Sequence, residues 1–248
     1  MDYKAGERRS LPSVHGGAGA FGEFTLVASD GVASDAYYTH PDQASSRAVV
    51  ILPDIFGLSE FYKDLGRRFA RAGLHAVTID YYTRELGRGN RPPVDDRQFY
   101  TGMLGKTDKH AIDRDVAAAV TWLQALPGTR VESIFTIGFG CGGGFAWRQC
   151  TTNQPLKGYV SLYGVPGLLE DEQLLAMRGP ILMLIAGKDF TPVEQVENLA
   201  DRARRSGATV ETHIYGEAPH GFFSRSGEFA AERDDAWSRV LSFFARYS

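Results

Sequence analysis

Two residues near the end of the chain have the types and order needed to move a proton. Asp189 closes Ala186-Gly187-Lys188-Asp189, and His220 sits within Ala218-Pro219-His220-Gly221-Phe222. A carboxylate can orient an imidazole, and an oriented imidazole works as a general base or acid. Upstream, residues 134 to 145 read Ile-Phe-Thr-Ile-Gly-Phe-Gly-Cys-Gly-Gly-Gly-Phe. A short apolar run enters a glycine cluster, and a helix-compatible stretch beginning at Phe145 leaves it. That is the layout of a nucleophile elbow, which lifts one side chain above the edge of a parallel sheet. The residues two before and two after the tip must be small, because the turn presses them together. Centring the turn on Gly140 puts Gly138 and Gly142 at those positions. Centring it on Cys141 puts Phe139 at one of them, where its ring should clash. Sterics therefore place Gly140 at the tip, where a Ser or Cys nucleophile would be expected.

Other residues qualify by position. Asp54, in Pro53-Asp54-Ile55-Phe56-Gly57, ends an apolar run. Tyr81, Tyr82, Arg84 and Tyr163 also follow expected strand ends and are expected to line a pocket, with Phe222 close to His220. Arg84 is expected to pair with an anionic or polar substrate group. Taken singly, each has a structural use: Asp189 or Asp54 could cap a helix, His220 could be a satisfied loop histidine, and Arg84 could be a solvated side chain. Taken together, in order and at strand ends, Asp189 and His220 favour catalysis.

Those positions presuppose a scaffold. Residues 24–28 and 32–39 flank Ser-Asp-Gly and suggest an antiparallel hairpin. Ala48 to Leu52 is a continuous apolar run, as in a strand buried on both faces. A helix is expected over residues 59–72, with Phe61, Leu65 and Phe69 on one face, and it stops at Gly73. Strands are expected over 74–79, 133–137, 157–163, 180–186 and 209–215. Further helices are expected over 111–126, 193–206 and 228–247. This alternation predicts a doubly wound, mostly parallel α/β sheet with helices on both faces. Ligands then bind beyond the carboxyl ends of the strands. Residues 1–20 read as a flexible lead-in and 21–248 as one domain. Residues 84–109, with glycines and prolines among charges, read as an irregular active-site loop.

Composition narrows the function. The chain has 248 residues, 43% hydrophobic and 23% charged, with a formal net charge of −3. Without a basic block, nucleic acid is an unexpected partner. Neither a membrane span nor a signal peptide is read, so a cytoplasmic protein is expected. The two cysteines, Cys141 and Cys150, suggest neither a disulfide nor a metal site, and no cofactor is expected. The expected partner is a small-molecule substrate, and the expected state a monomer or homodimer.

Several segments together resemble the dienelactone hydrolase family of α/β-hydrolases. They are Leu-Pro-Asp-Ile-Phe-Gly-Leu from Leu52, Gly-Phe-Gly-Cys-Gly-Gly-Gly-Phe-Ala from Gly138, Ser-Leu-Tyr-Gly from Ser161, Ala-Gly-Lys-Asp from Ala186 and Glu-Ala-Pro-His-Gly-Phe-Phe from Glu217. The resemblance implies an α/β-hydrolase fold in which Asp189 is the triad acid and His220 the base. It places Asp54 where the family often has a Glu beside the nucleophile. Ile55 and the residue after the nucleophile position, Cys141, would give oxyanion-hole amides. Arg84 resembles an arginine that holds a substrate carboxylate, and Arg225 is a looser counterpart. The family's usual Gly-Phe-Cys-x-Gly-Gly aligns onto Gly138-Phe139-Gly140-Cys141-Gly142-Gly143, so Gly140 replaces the nucleophile. The leading expectation is an enzyme using non-covalent acid-base chemistry of a cyclase, isomerase or lyase type. The alternatives are a Cys141-dependent ester or lactone hydrolase and a non-catalytic small-molecule binder.

Overall fold

The computed structural model describes residues 17–91, 96–174, 176–225 and 227–248. In chain order the elements are β1 (Ala18–Val27), β2 (Ala33–Pro41), β3 (Arg47–Leu52), α1 (Glu60–Arg71), β4 (His75–Ile79), α2 (Thr83–Leu86), α3 (Arg97–Leu104) and α4 (Lys109–Gln124). They continue with β5 (Ser133–Phe139), α5 (Cys141–Gln149), β6 (Gly158–Leu162), α6 (Asp171–Leu174), β7 (Pro180–Lys188), α7 (Val193–Arg205), β8 (Thr209–Pro219) and α8 (Ala230–Arg246). The strands form one sheet in the order β1-β2-β4-β3-β5-β6-β7-β8. β1 and β2 pair antiparallel, as do β2 and β4, and every other pair is parallel.

Strand period and helix period together explain the layers. Along β3, Val49 and Ile51 point to one face and Ala48, Val50 and Leu52 to the other, because successive strand side chains alternate. The first pair joins Phe61, Leu65 and Phe69 of α1 and Val240, Phe243 and Phe244 of α8. The second set joins Ile112, Val116 and Val120 of α4 and Phe145 of α5. On that same side, Ile181, Met183 and Ile185 of β7 pack against Val196, Leu199 and Ala203 of α7. A strand covered on both faces has no polar alternation, which is why β3 reads as a plain apolar run.

Two expectations need correction. The lead-in was expected to extend to residue 20, but β1 begins at Ala18, while residues 1–16 lie outside the described residues. Its apolar positions are interleaved with glycines, which weakens the strand pattern. Residues 84–109, expected to be irregular, carry most of α2 and all of α3. Asp96 caps α3 by accepting the Phe99 N–H at 2.9 Å, and Tyr100 and Met103 are buried. Helices this short complete too few turns to show a period among charges. Residues 92–95 of this stretch lie outside the described residues. Among the described residues no helix is long and apolar enough to cross a membrane.

Candidate active site

The dyad comes from strand register. β7 and β8 run parallel, and Lys188 pairs with Pro219, so the next residues, Asp189 and His220, leave the sheet side by side. His220 Nδ1 lies 2.8 and 3.0 Å from the two Asp189 carboxylate oxygens. The carboxylate can only accept, so Nδ1 carries the proton and Nε2 of neutral His220 is left as a base. Asp189 also accepts the Thr191 N–H at 3.1 Å, which fixes the carboxylate. The imidazole lies near two aromatic rings, Tyr163 at 4.9 Å and Phe190 at 4.5 Å between centroids.

The elbow connects β5 to α5 with Gly140 at its tip, at φ 55° and ψ −118°. Crowding selects this register. A Cβ on Gly138 would fall 1.9 Å from the Gly142 carbonyl oxygen, and one on Gly142 would fall 2.1 Å from the Leu52 and Pro53 oxygens. Phe139 instead sends its ring into the core beside Tyr62 and Phe223. A Cβ on Gly140 would lie 3.1 Å from His220 Nε2 and 3.9 Å from Asp54 Cβ. The tip therefore faces the histidine without a side chain.

Cys141 opens α5, is 6% exposed and packs in the apolar cluster with Phe145. Burial, reinforced by the negative charge of Asp54, pushes its thiol well above the ordinary range. Its Sγ makes no hydrogen bond to His220 among the described residues. Cys150 is also a free, buried thiol.

The loop after β3 supplies Asp54 and Ile55. Asp54 accepts the Phe56 N–H at 3.0 Å through one carboxylate oxygen, an Asx turn that shapes the loop. Tyr81 and Tyr82, expected to line the pocket, stand behind this loop. The Tyr81 hydroxyl donates to the Pro53 carbonyl, and the Tyr82 hydroxyl donates to the Ile55 carbonyl at 2.7 Å. Burial raises both phenol pKa values, so they remain neutral donors. They hold the backbone that the site uses.

Two further expectations are corrected. Arg84 does not reach the cleft. It donates to Asp115 at 2.7 and 3.0 Å and to Asp30 at 2.8 Å, fastening α2 to α4 and to the β1–β2 turn. A guanidinium matched in this way to the buried Asp115 is drawn away from the pocket. Phe222 is fully buried beneath the site against Tyr163 and Tyr215.

The cleft measures about 740 Å³ out to its open mouth. Asp54, Ile55, Gly140, Cys141, Tyr163, His220 and Arg225 line it, together with residues not singled out in the sequence, Phe56, Leu104, Val165, Phe190 and Gly221. Of these added residues, Phe190 carried a signal in its place after Asp189. Leu104 carried none, because it comes from α3. Among the described residues no three His, Cys, Asp or Glu side chains gather as metal ligands would.

Comparison with known proteins agrees with this fold. A family model described as "Dienelactone hydrolase family" matches residues 34–248. A protein of Escherichia coli K12, provisionally named a carboxymethylenebutenolidase, is 30% identical over 239 residues, spanning 90% of this chain and 86% of its own. A similarly named protein of Saccharolobus solfataricus is 30% identical over 252 residues, spanning 89% and 96%. Among solved structures, a provisionally assigned dienelactone hydrolase of Klebsiella pneumoniae superimposes with a TM-score of 0.81 at 25% identity, covering 92% of this chain and 99% of that one. A brefeldin A esterase, at 14% identity and TM-score 0.71 over 96% and 79%, shares the fold alone. The architecture is the α/β-hydrolase fold.

Proposed function

This chain belongs to the dienelactone hydrolase family, and we propose that it acts on a small carbonyl compound by acid-base chemistry without a covalent intermediate. One observation carries the reading: the position 3.1 Å from His220 Nε2 belongs to the Cβ that Gly140 lacks. The histidine is oriented by Asp189 and has no side-chain nucleophile to activate. Cys141 does not substitute for one, since its buried thiol is held in the protonated form and the thiolate is the nucleophile.

His220 Nε2 takes a proton from the substrate carbon next to the carbonyl, and negative charge moves onto the carbonyl oxygen. Ile55 and Cys141 both line the cleft, and their N–H groups stabilise that oxyanion. Return of the proton to another carbon of the conjugated system isomerises the substrate; alternatively the enolate carbon adds to a second carbonyl carbon of the same molecule, whose π pair moves onto its oxygen and takes the proton back from His220, closing a ring. The names of the relatives support a second reading, ester or lactone hydrolysis. His220 then deprotonates a water that adds to the carbonyl, the same amides hold the tetrahedral oxyanion, and the leaving alkoxide takes the proton back.

The experiment assays ester and lactone cleavage and α-proton exchange in D2O for the wild type, His220→Ala and Cys141→Ala. Loss of a positioned base lowers the rate by about 100- to 10,000-fold, so His220→Ala should lose most activity while Cys141→Ala keeps it. Exchange without cleavage favours the isomerase or cyclase chemistry, and cleavage favours water activation. Loss of activity in Cys141→Ala together with an acyl-Cys141 adduct by mass spectrometry would overturn both.

A further inference from the structure

We infer that the cleft takes a flat, uncharged aromatic or polyunsaturated carbonyl compound, held against the rings of Phe190 and Tyr163, and does not select for a small carboxylate. The inference rests on the acid-base reading of the same site and adds the substrate class to it.

The first observation is the pair of rings about the histidine. Phe190 is 59% exposed, yet its ring sits 4.5 Å from the His220 imidazole, inclined at 35°. Tyr163 approaches the same imidazole at 4.9 Å and 60°. An aromatic face left in water at the mouth of a cleft is a surface for a flat apolar partner, since offset stacking covers it and meets the ring's charge distribution.

The second observation is backbone strain. Tyr163 has φ 40°, the one non-glycine residue with positive φ among the described residues. A bulky side chain in that region persists only where its surroundings hold it, and such residues cluster at ligand clamps. Here the Tyr163 N–H donates to the Leu184 carbonyl at 2.8 Å, and the ring packs on Phe222. The ring is fixed beside the base before any ligand arrives.

The third is charge. Arg84, the residue the family resemblance assigned to a substrate carboxylate, is bound to Asp115 and Asp30. The charged residues lining the cleft are Asp54, of one sign, and Arg225, of the other. Attraction of a carboxylate to Arg225 is therefore opposed by Asp54. Ile55, Phe56, Leu104 and Val165 make the rest of the wall largely apolar.

The test uses two ketones that cannot be hydrolysed, 2-acetylnaphthalene and its 6-carboxylate, titrated into the wild type, Phe190→Ala and Phe190→Trp by calorimetry. The neutral ketone should bind about tenfold more tightly than the carboxylate. Phe190→Ala should weaken neutral-ketone binding about tenfold, and Phe190→Trp should preserve it. Equal or tighter binding of the carboxylate, or unchanged affinity in Phe190→Ala, overturns the inference. Phe190 is exposed, and a thermal melt of each variant separates lost binding from lost folding. Binding needs no turnover, so the outcome is independent of the catalytic reading. A fully active His220→Ala would sink that reading while leaving ketone affinity intact. Tight carboxylate binding with His220-dependent activity would remove the substrate class alone.

Discussion

Gly140 does two things that a larger residue would have to do under strain. It accepts the φ of 55° that the turn requires, and it keeps Cβ out of the space 3.1 Å from His220 Nε2. Placing a side chain there should therefore be tolerated at a cost. Gly140→Cys is expected to lose about 1–3 kcal/mol of stability, the usual range for a non-glycine residue in sparsely populated φ/ψ space, measured by urea unfolding. It should also gain a thiol beside the imidazole that reacts with iodoacetamide. In the wild type, burial keeps Cys141 protonated at pH 8, so peptide mapping should show it labelled far more slowly than a free cysteine. Rapid labelling of wild-type Cys141 would contradict the buried-thiol assignment.

At the scale of elements, two polar contacts hold strands and helices in place. Arg84 faces Asp115 with two donors, and Asp115 is buried. Removing one partner of a buried pair leaves the other charge uncompensated, so Arg84→Ala should lose about 3 kcal/mol. Because Arg84 stands outside the cleft, ligand affinity in that variant should be unchanged wherever it remains folded. A calorimetric affinity that falls with the substitution would return Arg84 to the site.

The second contact joins β2 to β4. His40 and His75 meet through their Nδ1 atoms at 2.8 Å, and His75 Nε2 lies 3.2 Å from the Ser45 carbonyl oxygen. The carbonyl can only accept, so His75 carries its proton on Nε2 and receives the Nδ1–H of His40. Protonating both rings would set two Nδ1–H donors against each other. Burial lowers both pKa values, and the neighbouring His75 charge lowers that of His40 further. A base with a lowered folded-state pKa leaves the unfolded chain binding more protons near pH 6. Stability is therefore fully present above an unfolded value of about 6.5 and falls as the pH drops through the lowered folded values, by about 1.4 kcal/mol per pH unit for each proton taken up. Urea midpoints from pH 7.5 to 5 should fall in this way, and the fall should flatten in His40→Gln. An equal slope in that variant would remove the pair as its source.

At the scale of the whole molecule, a parallel sheet gathers the carboxyl ends of its strands at one edge, so β3, β5 and β8 deliver Asp54, Gly140 and His220 to one cleft, and β7 places Asp189 behind the imidazole. A ligand bound only by the folded state stabilises it by about 2.7 kcal/mol at a hundredfold excess over Kd. For a domain of this size that should raise Tm by about 5–10 °C. The neutral ketone should produce this shift in the wild type and equally in Cys141→Ala, as followed by calorimetry. A shift lost in Cys141→Ala would mean that the thiol takes part in binding.

The sequence by itself determined the order of the strands and the longer helices, the depth of β3 and the register of the elbow, because these depend on local periods and local crowding. Gly138 and Gly142 are close in sequence as well as in space, so their contact could be argued without coordinates. Asp189 and His220 could be placed at strand ends for the same reason. The rest depended on distances between segments far apart in the chain. Only the fold paired Lys188 with Pro219, turned Tyr81 and Tyr82 behind the Asp54 loop, and gave Arg84 the buried Asp115 as a partner. An arginine after a strand end reads alike whether it meets a substrate or a carboxylate from a helix thirty-one positions later. Likewise, α3 brings Leu104 to the cleft from a stretch too short to show a period. Side-chain partners chosen by tertiary packing leave no mark in local spacing, whereas strain and crowding within a single turn do.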